Sequence, residues 1–303
     1  MNRREFIRLG AGSAVLACGL RGQAPSAADL MHATIPSSGR KVARAGLGTW
    51  RVFDVGSDLT ARTQLVEVLK AFTAAGGDVV DTSPMYGSAE NVLGDLAAET
   101  GLREKLFFAT KVWTSGEAAG LAQMESSLRK LRTSRVELME IHNLLDWRVH
   151  LPNLRRWKEE GRIAHLGVTH YTAGALAELT RVVKSEHLDF VQYALSLEEP
   201  QAAGDFLQLC ADRGVAFIAN RPFAEGAAFA KVRGKSLPPW AADLGITSWA
   251  QFLLKWILAH PEVTCAIAGT SRVEHMRDNL DAARGPALSA ADRDRLAAHW
   301  RNL

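Results

Sequence analysis

The sequence predicts one (β/α)8 barrel, and three observations support this prediction. Eight short apolar runs recur along the chain, with helical segments between them. The runs are continuously apolar rather than alternating, which is typical of strands buried on both faces of a parallel sheet. From the second run to the seventh, successive starts lie 26 to 30 residues apart, the span of one strand, crossover helix and return. The 303 residues, 47% of them hydrophobic, suffice for one such domain of roughly 250 residues.

The predicted elements can be placed in order along the chain. The strands are expected at residues 45–50, 78–82, 106–112, 136–142, 163–170, 189–194, 215–220 and 264–269. Apolar side chains at helical spacing predict helices that pack on the barrel, first at Leu65, Val68, Leu69 and Phe72, and again at Leu121, Met124, Leu128 and Leu131. A last helix is expected at 289–300.

Glycines and prolines mark where these elements end. Gly76, Gly77, Gly161 and Gly214 each precede a predicted strand, where helices often close with a left-handed residue. One long interruption, at 223–240, is rich in glycine and proline and predicts an active-site loop.

Residues 1–28 differ from the rest of the chain and resemble a twin-arginine export signal. Arg3 and Arg4 precede a modest apolar stretch at 9–20, which is too short and too rich in glycine and alanine to span a membrane. Ser26-Ala27-Ala28 is the predicted cleavage site. We therefore expect export of the folded protein to the bacterial periplasm by the twin-arginine machinery, with residues 29–303 as the barrel domain. The alternatives are a basic tail and lipid attachment at Cys18.

Composition excludes several other classes of protein. The net charge is +3, and lysines and arginines are scattered among acids without a long basic run, so nucleic acid is not expected as a partner. We expect no membrane span in residues 29–303, no metal site, and a monomer. Cys210 and Cys265 fall in a predicted helix and a predicted strand and are expected to be buried thiols.

Four chemically useful residues lie at or just beyond the ends of predicted strands. They are Asp81, Tyr86, Lys111 and His142. In a closed parallel barrel these strand ends share one mouth, where such folds carry out their chemistry. A lysine cation beside a tyrosine lowers the tyrosine pKa from its usual value of about 10, and an aspartate could hold the lysine. The set suits reduction of a carbonyl group, with Tyr86 as the proton donor.

The segments that carry these residues resemble the aldo-keto reductases. Asp81-Thr-Ser-Pro-Met-Tyr86-Gly87, Ala109-Thr-Lys111 and Ile141-His142 match that family's catalytic Asp, Tyr, Lys and His in order and spacing, and the resemblance runs from about Gly46 to Asn279. It implies a (β/α)8 barrel, a nicotinamide cofactor, usually NADPH, and Tyr86 as general acid.

The resemblance also implies which residues bind the cofactor. Near the nicotinamide are expected Gly48, Thr49, Trp50, Thr169, His170, Gln192, Asn220, Arg221, Pro222 and Phe223, and around the phosphates and adenine Gly269, Thr270, Ser271, Arg272, His275 and Asn279. Two positions depart from the family pattern, since His170 replaces an asparagine and Asn220 replaces an aromatic ring. Arg221 is expected to compensate by touching the pyrophosphate, and the alternative is that Trp50 covers the nicotinamide ring.

The last of these segments carries two further expectations. Ser271 and Glu274 have the spacing of a capping box, which predicts a helix N-terminus suited to phosphate. Arg272 and His275 are expected to bracket the adenosine 2′-phosphate. NADH stays open as the cofactor, because the resemblance more often places arginine where His275 stands.

The substrate is expected to be a small carbonyl compound in an open pocket. Trp113 and Trp147 follow Lys111 and His142 and are expected to line that pocket, or else to pack. Helix 289–300 leads to Leu303 without the long C-terminal loop of many family members, which favours aldehydes or dicarbonyls. Two alternatives remain, a regulatory cofactor-binding protein of the same fold and another barrel enzyme that uses Lys111 as a Schiff-base amine.

Overall fold

The computed structural model describes residues 29–303, which form a closed barrel of eight parallel strands preceded by a two-stranded antiparallel hairpin. The hairpin strands are β1 (His32–Thr34) and β2 (Lys41–Ala43). The barrel strands are β3 (Ala45–Gly48), β4 (Val79–Asp81), β5 (Phe107–Val112), β6 (Val136–His142), β7 (Ile163–Thr169), β8 (Phe190–Ala194), β9 (Ala216–Asn220) and β10 (Val263–Gly269). Each barrel strand pairs with the next in sequence, and β10 closes the barrel on β3.

Helices surround the barrel. They are α1 (Leu59–Ala74), α2 (Ala89–Glu99), α3 (Glu117–Lys130), α4 (Trp147–Glu159), α5 (Leu176–Ser185), α6 (Asp205–Asp212), α7 (Ala227–Lys231), α8 (Trp249–Leu258), α9 (Val273–Asp281) and α10 (Ala290–Arg301). None of the helices in residues 29–303 is long and apolar enough to cross a membrane. The export signal predicted for residues 1–28 lies outside the described part of the chain.

The predicted barrel is confirmed, and the patterns that predicted its elements have physical counterparts. The four apolar residues of the first stripe are those that α1 buries. Gly76, Gly161 and Gly214 have positive φ angles of 93°, 73° and 64°, which glycine adopts without steric cost. Helix α10 begins with a capping box between Ser289 and Asp292. The buried faces and the chain reversals between them therefore follow directly from the sequence.

The structure differs from the sequence prediction at the two ends of the barrel. The first strand stops at Gly48 rather than residue 50, because the chain turns at Thr49, whose carbonyl accepts from the Val52 and Phe53 amides. The hairpin of β1 and β2 was not predicted. Its residues Ile35 and Val42 are buried among barrel side chains near the strand starts, so the hairpin closes the N-terminal end of the barrel.

Candidate active site

A cavity of about 430 Å³ opens at the carboxyl ends of the barrel strands. Its lining includes all ten predicted nicotinamide residues and three of the four predicted catalytic residues. The lining residues are Gly48, Thr49, Trp50, Asp81, Met85, Tyr86, His142, Asn143, Thr169, His170, Tyr171, Gln192, Asn220, Arg221, Pro222, Phe223, Glu225, Gly226, Phe229, Ile267 and Gly269. The predicted loop at 223–240 contributes Phe223, Glu225, Gly226 and Phe229 to this wall. The cavity has the location and size expected of a binding site for a small molecule.

A buried ion pair adjoins the cavity, and one of its members, Asp81, is part of the cavity lining. Lys111, at the end of β5, points its ammonium at the Asp81 carboxylate at the end of β4, with Nζ to Oδ1 at 2.6 Å, and donates a second bond to the Thr82 carbonyl at 2.8 Å. The Lys111 side chain is 0% exposed and that of Asp81 3%. Burial is the largest single influence and disfavours the ammonium, but Asp81, Tyr86 and Glu140 together outweigh it, so the pKa of Lys111 is raised. Lys111 is therefore a fixed cation.

Tyr86 lines the cavity next to this ion pair. The Lys111 ammonium is 5.4 Å from the centre of its ring. Burial raises the pKa of Tyr86 to about 12, and the Lys111 charge only partly offsets it. Lys111 lowers the tyrosine pKa as expected, but burial has the larger effect, so the net pKa of Tyr86 is raised. At neutral pH the Tyr86 hydroxyl carries its proton, the state that a proton donor requires.

His142 stands on the other side of Tyr86, with the two ring centres 5.9 Å apart and edge to face. Burial, aided by the Lys111 charge, lowers the pKa of His142 to about 2, so the imidazole is neutral. Its Nδ1 is 3.0 Å from the hydroxyl of Ser83, which also accepts from the Met85 amide. When the Ser83 hydroxyl donates to Nδ1, the imidazole proton sits on Nε2. His142 is then a neutral hydrogen-bond donor beside Tyr86.

Amide and hydroxyl groups from three strands form a polar network at the other end of the cavity. The Gln192 side-chain oxygen accepts from the Thr169 hydroxyl at 3.3 Å and from Asn220 Nδ2 at 3.2 Å. Two further buried oxygens next to the cavity, Thr49 Oγ1 and Asn220 Oδ1, have no hydrogen-bond partner in the described part of the chain. Buried polar atoms of native proteins are rarely unpaired, so this end of the cavity is suited to a polar ligand group.

His170 differs from the other histidine of the site in its hydrogen bonds. Its Nδ1 accepts from the backbone amides of Tyr171 at 2.9 Å and Thr172 at 3.2 Å. Burial lowers its pKa, so the ring is neutral and its proton is on Nε2. The ring that replaces the family's asparagine therefore offers one donor.

Arg221 is engaged by carboxylates. Its guanidinium bonds Glu199 through two nitrogens, at 2.9 and 3.0 Å, and also pairs with Glu225. The hydrogen bonds that it donates to Glu199 are the main reason that the pKa of Arg221 is raised. Its backbone has φ of 55°, which is uncommon for a residue with a side chain. In the structure, the Arg221 guanidinium therefore binds two acidic side chains. The sequence had predicted that it would contact the pyrophosphate.

The predicted capping box at Ser271 and Glu274 is wrong. Helix α9 begins at Val273, its N-cap is Arg272, and no side chain caps it. The Arg272 amide donates to the Thr270 hydroxyl at 3.1 Å, while its guanidinium binds Glu274 at 2.6 Å. Because the Glu274 carboxylate binds the Arg272 guanidinium, it does not form the second hydrogen bond of a capping box.

Of the residues predicted around the phosphates and adenine, Gly269 lines the main cavity and the others lie outside it. Arg272 and His275 are exposed at the start of α9, and Ser271 is half-buried. Thr270 and Asn279 line a small separate cleft between β10, α9 and α1, and Asn279 is 8% exposed. This places the predicted phosphate and adenine residues together at one end of the barrel mouth.

The two predicted pocket tryptophans have different surroundings. Trp113 is 39% exposed, with its ring centre 6.4 Å from that of His142, so it lies at the mouth without lining the cavity. Trp147 is the first residue of α4 and packs in the hydrophobic core. Of the two expectations for Trp147, lining the pocket or packing, the structure shows packing. The reason is that the turn after β6 directs the chain back onto the barrel.

Several residues of the site were not predicted from the sequence. Met85, Tyr171 and Phe229 add apolar wall, and each is partly exposed. Asn143 follows His142 with φ of 56°, and its buried Oδ1 has no partner in the described residues. Glu140, two residues before His142, is fully buried. Among these unpredicted residues, only Glu140 gave a signal in the sequence, because it is an acidic residue within a largely apolar predicted strand.

The comparisons with known proteins agree with this geometry. A sequence profile described as the Aldo/keto reductase family matches residues 44–301. Methylglyoxal reductase YeaE of Escherichia coli (strain K12) is 28% identical over 241 residues, covering 77% of this chain and 83% of its own length.

Solved structures are similar as well. An aldo-keto reductase from Klebsiella pneumoniae in complex with NADPH has a TM-score of 0.75 and 27% identity over 89% of this chain and 96% of its own. Another from the same organism, in complex with NADP and acetate, has a TM-score of 0.73 and 28% identity, covering 86% and 93%. Because the profile spans most of the chain, this protein belongs to the aldo/keto reductase family.

Proposed function

We propose that this protein is an NADPH-dependent reductase that converts aldehydes, ketones or dicarbonyl compounds to alcohols. The observation that carries the proposal is the Tyr86 hydroxyl, protonated at neutral pH, in the wall of a cavity beside the buried Lys111–Asp81 pair. A methylglyoxal reductase among the relatives supports a carbonyl substrate. Relatives solved with NADPH or NADP support the cofactor.

The residues of the cavity fit a nicotinamide cofactor. Thr49 Oγ1 and Asn220 Oδ1 are buried oxygens without partners in the described residues, suited to the amide hydrogens of a carboxamide. Thr169, His170 and Gln192 would hold the same group, while Arg272, His275 and Asn279 would hold the phosphate and adenine end. When bound, the cofactor supplies a hydride to the substrate carbon.

The protein's own part in the reaction is proton transfer to the substrate oxygen. Tyr86 donates its proton as negative charge builds on that oxygen, and the Lys111 ammonium stabilises the tyrosinate that forms. Asp81 holds Lys111 at 2.6 Å and keeps the ammonium in place. Neutral His142 donates from Nε2 to the same oxygen and orients the carbonyl. The apolar wall excludes water from the reacting groups.

The Schiff-base alternative is disfavoured by the same ion pair. An amine attacks a carbonyl only when unprotonated, which requires a lowered lysine pKa. The pKa of Lys111 is raised, and its ammonium is bonded to Asp81 and the Thr82 carbonyl.

We expect the purified protein to oxidise NADPH when supplied with aldehydes, ketones, dicarbonyls or quinones. The measurement is the loss of NADPH absorbance over such a panel, repeated with NADH to establish the cofactor preference, with cofactor alone as control. Tight NADPH binding with no turnover on any compound would instead favour a regulatory protein. Faster oxidation of NADH than of NADPH would contradict the proposed cofactor.

We also propose that the protein is exported to the periplasm by the twin-arginine route. Arg3 and Arg4 support this, together with the apolar and small-residue stretches that follow them. Fractionation of bacteria that express the full chain should recover it in the periplasm, and Arg3→Lys with Arg4→Lys should retain it in the cytoplasm. Arg8→Lys is the matched control. Equal export of the double variant would contradict the proposal, and membrane retention that depends on Cys18 would favour lipid anchoring.

A further inference from the structure

The interior of the barrel holds a second carboxyl group that the proposed mechanism does not use. Glu140 lies in β6, where its register partners are Lys111 in β5 and Gly167 in β7. It is 0% exposed. One of its oxygens accepts from Gln192 Nε2 at 3.1 Å, and the other, Oε1, has no hydrogen-bond partner among the described residues.

The charges around Glu140 do not balance if it is ionised. The ionisable groups that face it are Asp81 in β4, Lys111 in β5 and Tyr86 beyond β4, with neutral His142 two residues along its own strand. Lys111 is the only cation of this set, and it donates hydrogen bonds to Asp81 and to the Thr82 carbonyl rather than to Glu140. A buried carboxylate without a paired cation is strongly disfavoured. Burial accordingly raises the pKa of Glu140 well above its usual range.

The bond to Glu140 has a geometric consequence for Gln192. Gln192 Nε2 donates to Asp81 Oδ1 at 2.8 Å and to Glu140 at 3.1 Å, which uses both amide hydrogens. The amide oxygen must then point the other way. It accepts from Thr169 and Asn220, at the polar end of the cavity. Without Glu140, one of these two hydrogens would have no acceptor.

We propose that Glu140 is a positioning residue, held as a neutral carboxylic acid, that orients the Gln192 amide so that its oxygen faces the carboxamide end of the cofactor cavity. This inference rests on the proposed function, because it gives Gln192 a cofactor to hold. Glu140 is not part of the cavity lining and acts on it through Gln192. It also adds no charge near the Lys111–Asp81 pair while it is neutral.

The protonation of Glu140 can be tested without cofactor. In the unfolded chain it ionises with an ordinary pKa of about 4.3. The raised pKa in the folded protein means that the folded state binds one more proton between the two values, so this group's contribution to stability falls as pH rises through that window. Glu140→Gln removes this proton uptake. The ratio of the folding equilibrium constant of Glu140→Gln to that of the natural protein should therefore rise about tenfold per pH unit above pH 5.

Thermal and denaturant unfolding of the full chain at pH 5 and pH 7 measures this difference. If Glu140→Gln exceeds the natural protein in stability by more at pH 7 than at pH 5, the result supports a neutral Glu140. A stability difference between the two proteins that is equal at both pH values, or smaller at pH 7, overturns the proposed neutral state of Glu140.

Cofactor binding tests the positioning role. Glu140→Met removes the acceptor at similar volume and should weaken NADPH binding about fivefold, as measured by the quenching of protein fluorescence. Glu140→Gln retains an oxygen that can accept from Gln192, so it should bind NADPH at least threefold more tightly than Glu140→Met.

Glu90→Met is the matched control. Glu90 is equally buried but is bonded by Thr110 at 2.7 Å rather than by Gln192, so its loss should leave NADPH binding within twofold. Equal binding by Glu140→Met and Glu140→Gln overturns the positioning role. An inactive natural protein that binds NADPH would contradict the proposed reductase but not this inference, since both tests are independent of turnover.

Discussion

Tyr86→Phe is expected to lower kcat/KM for carbonyl reduction by about 10³-fold, within the range of about 10² to 10⁴ typical of a general acid. The change deletes the hydroxyl of Tyr86 in the cavity wall next to the Lys111–Asp81 pair, and leaves the aromatic ring in its packing position. His142 remains as a neutral hydrogen-bond donor, but its pKa of about 2 makes protonation of the ring unfavourable. The loss should therefore appear in kcat, because the cavity that binds the cofactor is unchanged.

The cavity offers a matched control for this substitution. Tyr171→Phe removes a hydroxyl from the same wall, where the side chain is 43% exposed and stacks on His170. It should change kcat/KM less than threefold. The measurement is steady-state NADPH oxidation with one aldehyde, together with NADPH affinity for each variant. Full activity of Tyr86→Phe, or equal losses in the two variants, would contradict Tyr86 as the proton donor.

The barrel and the identity of the four central residues could be predicted from the sequence because both depend on local pattern. Continuous apolar runs predict buried parallel strands, and a residue at the end of such a run must lie at the barrel mouth. That rule alone predicts that Asp81, Lys111 and His142 lie close together. Tyr86 needed the resemblance as well, since it lies in a loop after its strand.

The electrostatics of the site could not be predicted in this way. A neighbouring lysine suggests a lowered tyrosine pKa, yet burial dominates at Tyr86 and raises its pKa to about 12. Arg221 appeared free to bind phosphate, but Glu199 and Glu225 reach it from elsewhere in the fold. Glu140 meets Gln192 across 52 positions of sequence. Each of these outcomes depends on distance and burial in three dimensions, which no sequence spacing encodes.

Lys111→Met is expected to have the largest effect on stability, a loss of about 3–5 kcal/mol in the free energy of unfolding. The substitution leaves the Asp81 carboxylate buried with its ammonium partner removed, in a barrel interior that also contains Glu140. The same-sized side chain fills the space, so the loss reports charge rather than a cavity. Activity should fall together with stability, since the tyrosinate that forms on proton transfer loses its neighbouring cation.

Lys70→Met provides the control, because Lys70 is 54% exposed and its pair with Glu67 on α1 is a surface contact. Such a change should alter stability by less than about 0.5 kcal/mol. The decisive comparison is Lys111→Met combined with Asp81→Asn, which removes the uncompensated charge and should recover much of the lost stability without restoring activity. Additive losses in urea unfolding of the single and double variants would show that the two residues do not act as a pair. Recovery of stability alone separates the two roles of Lys111, because a neutral pair can replace the ion pair in the fold, whereas only a cation can stabilise tyrosinate.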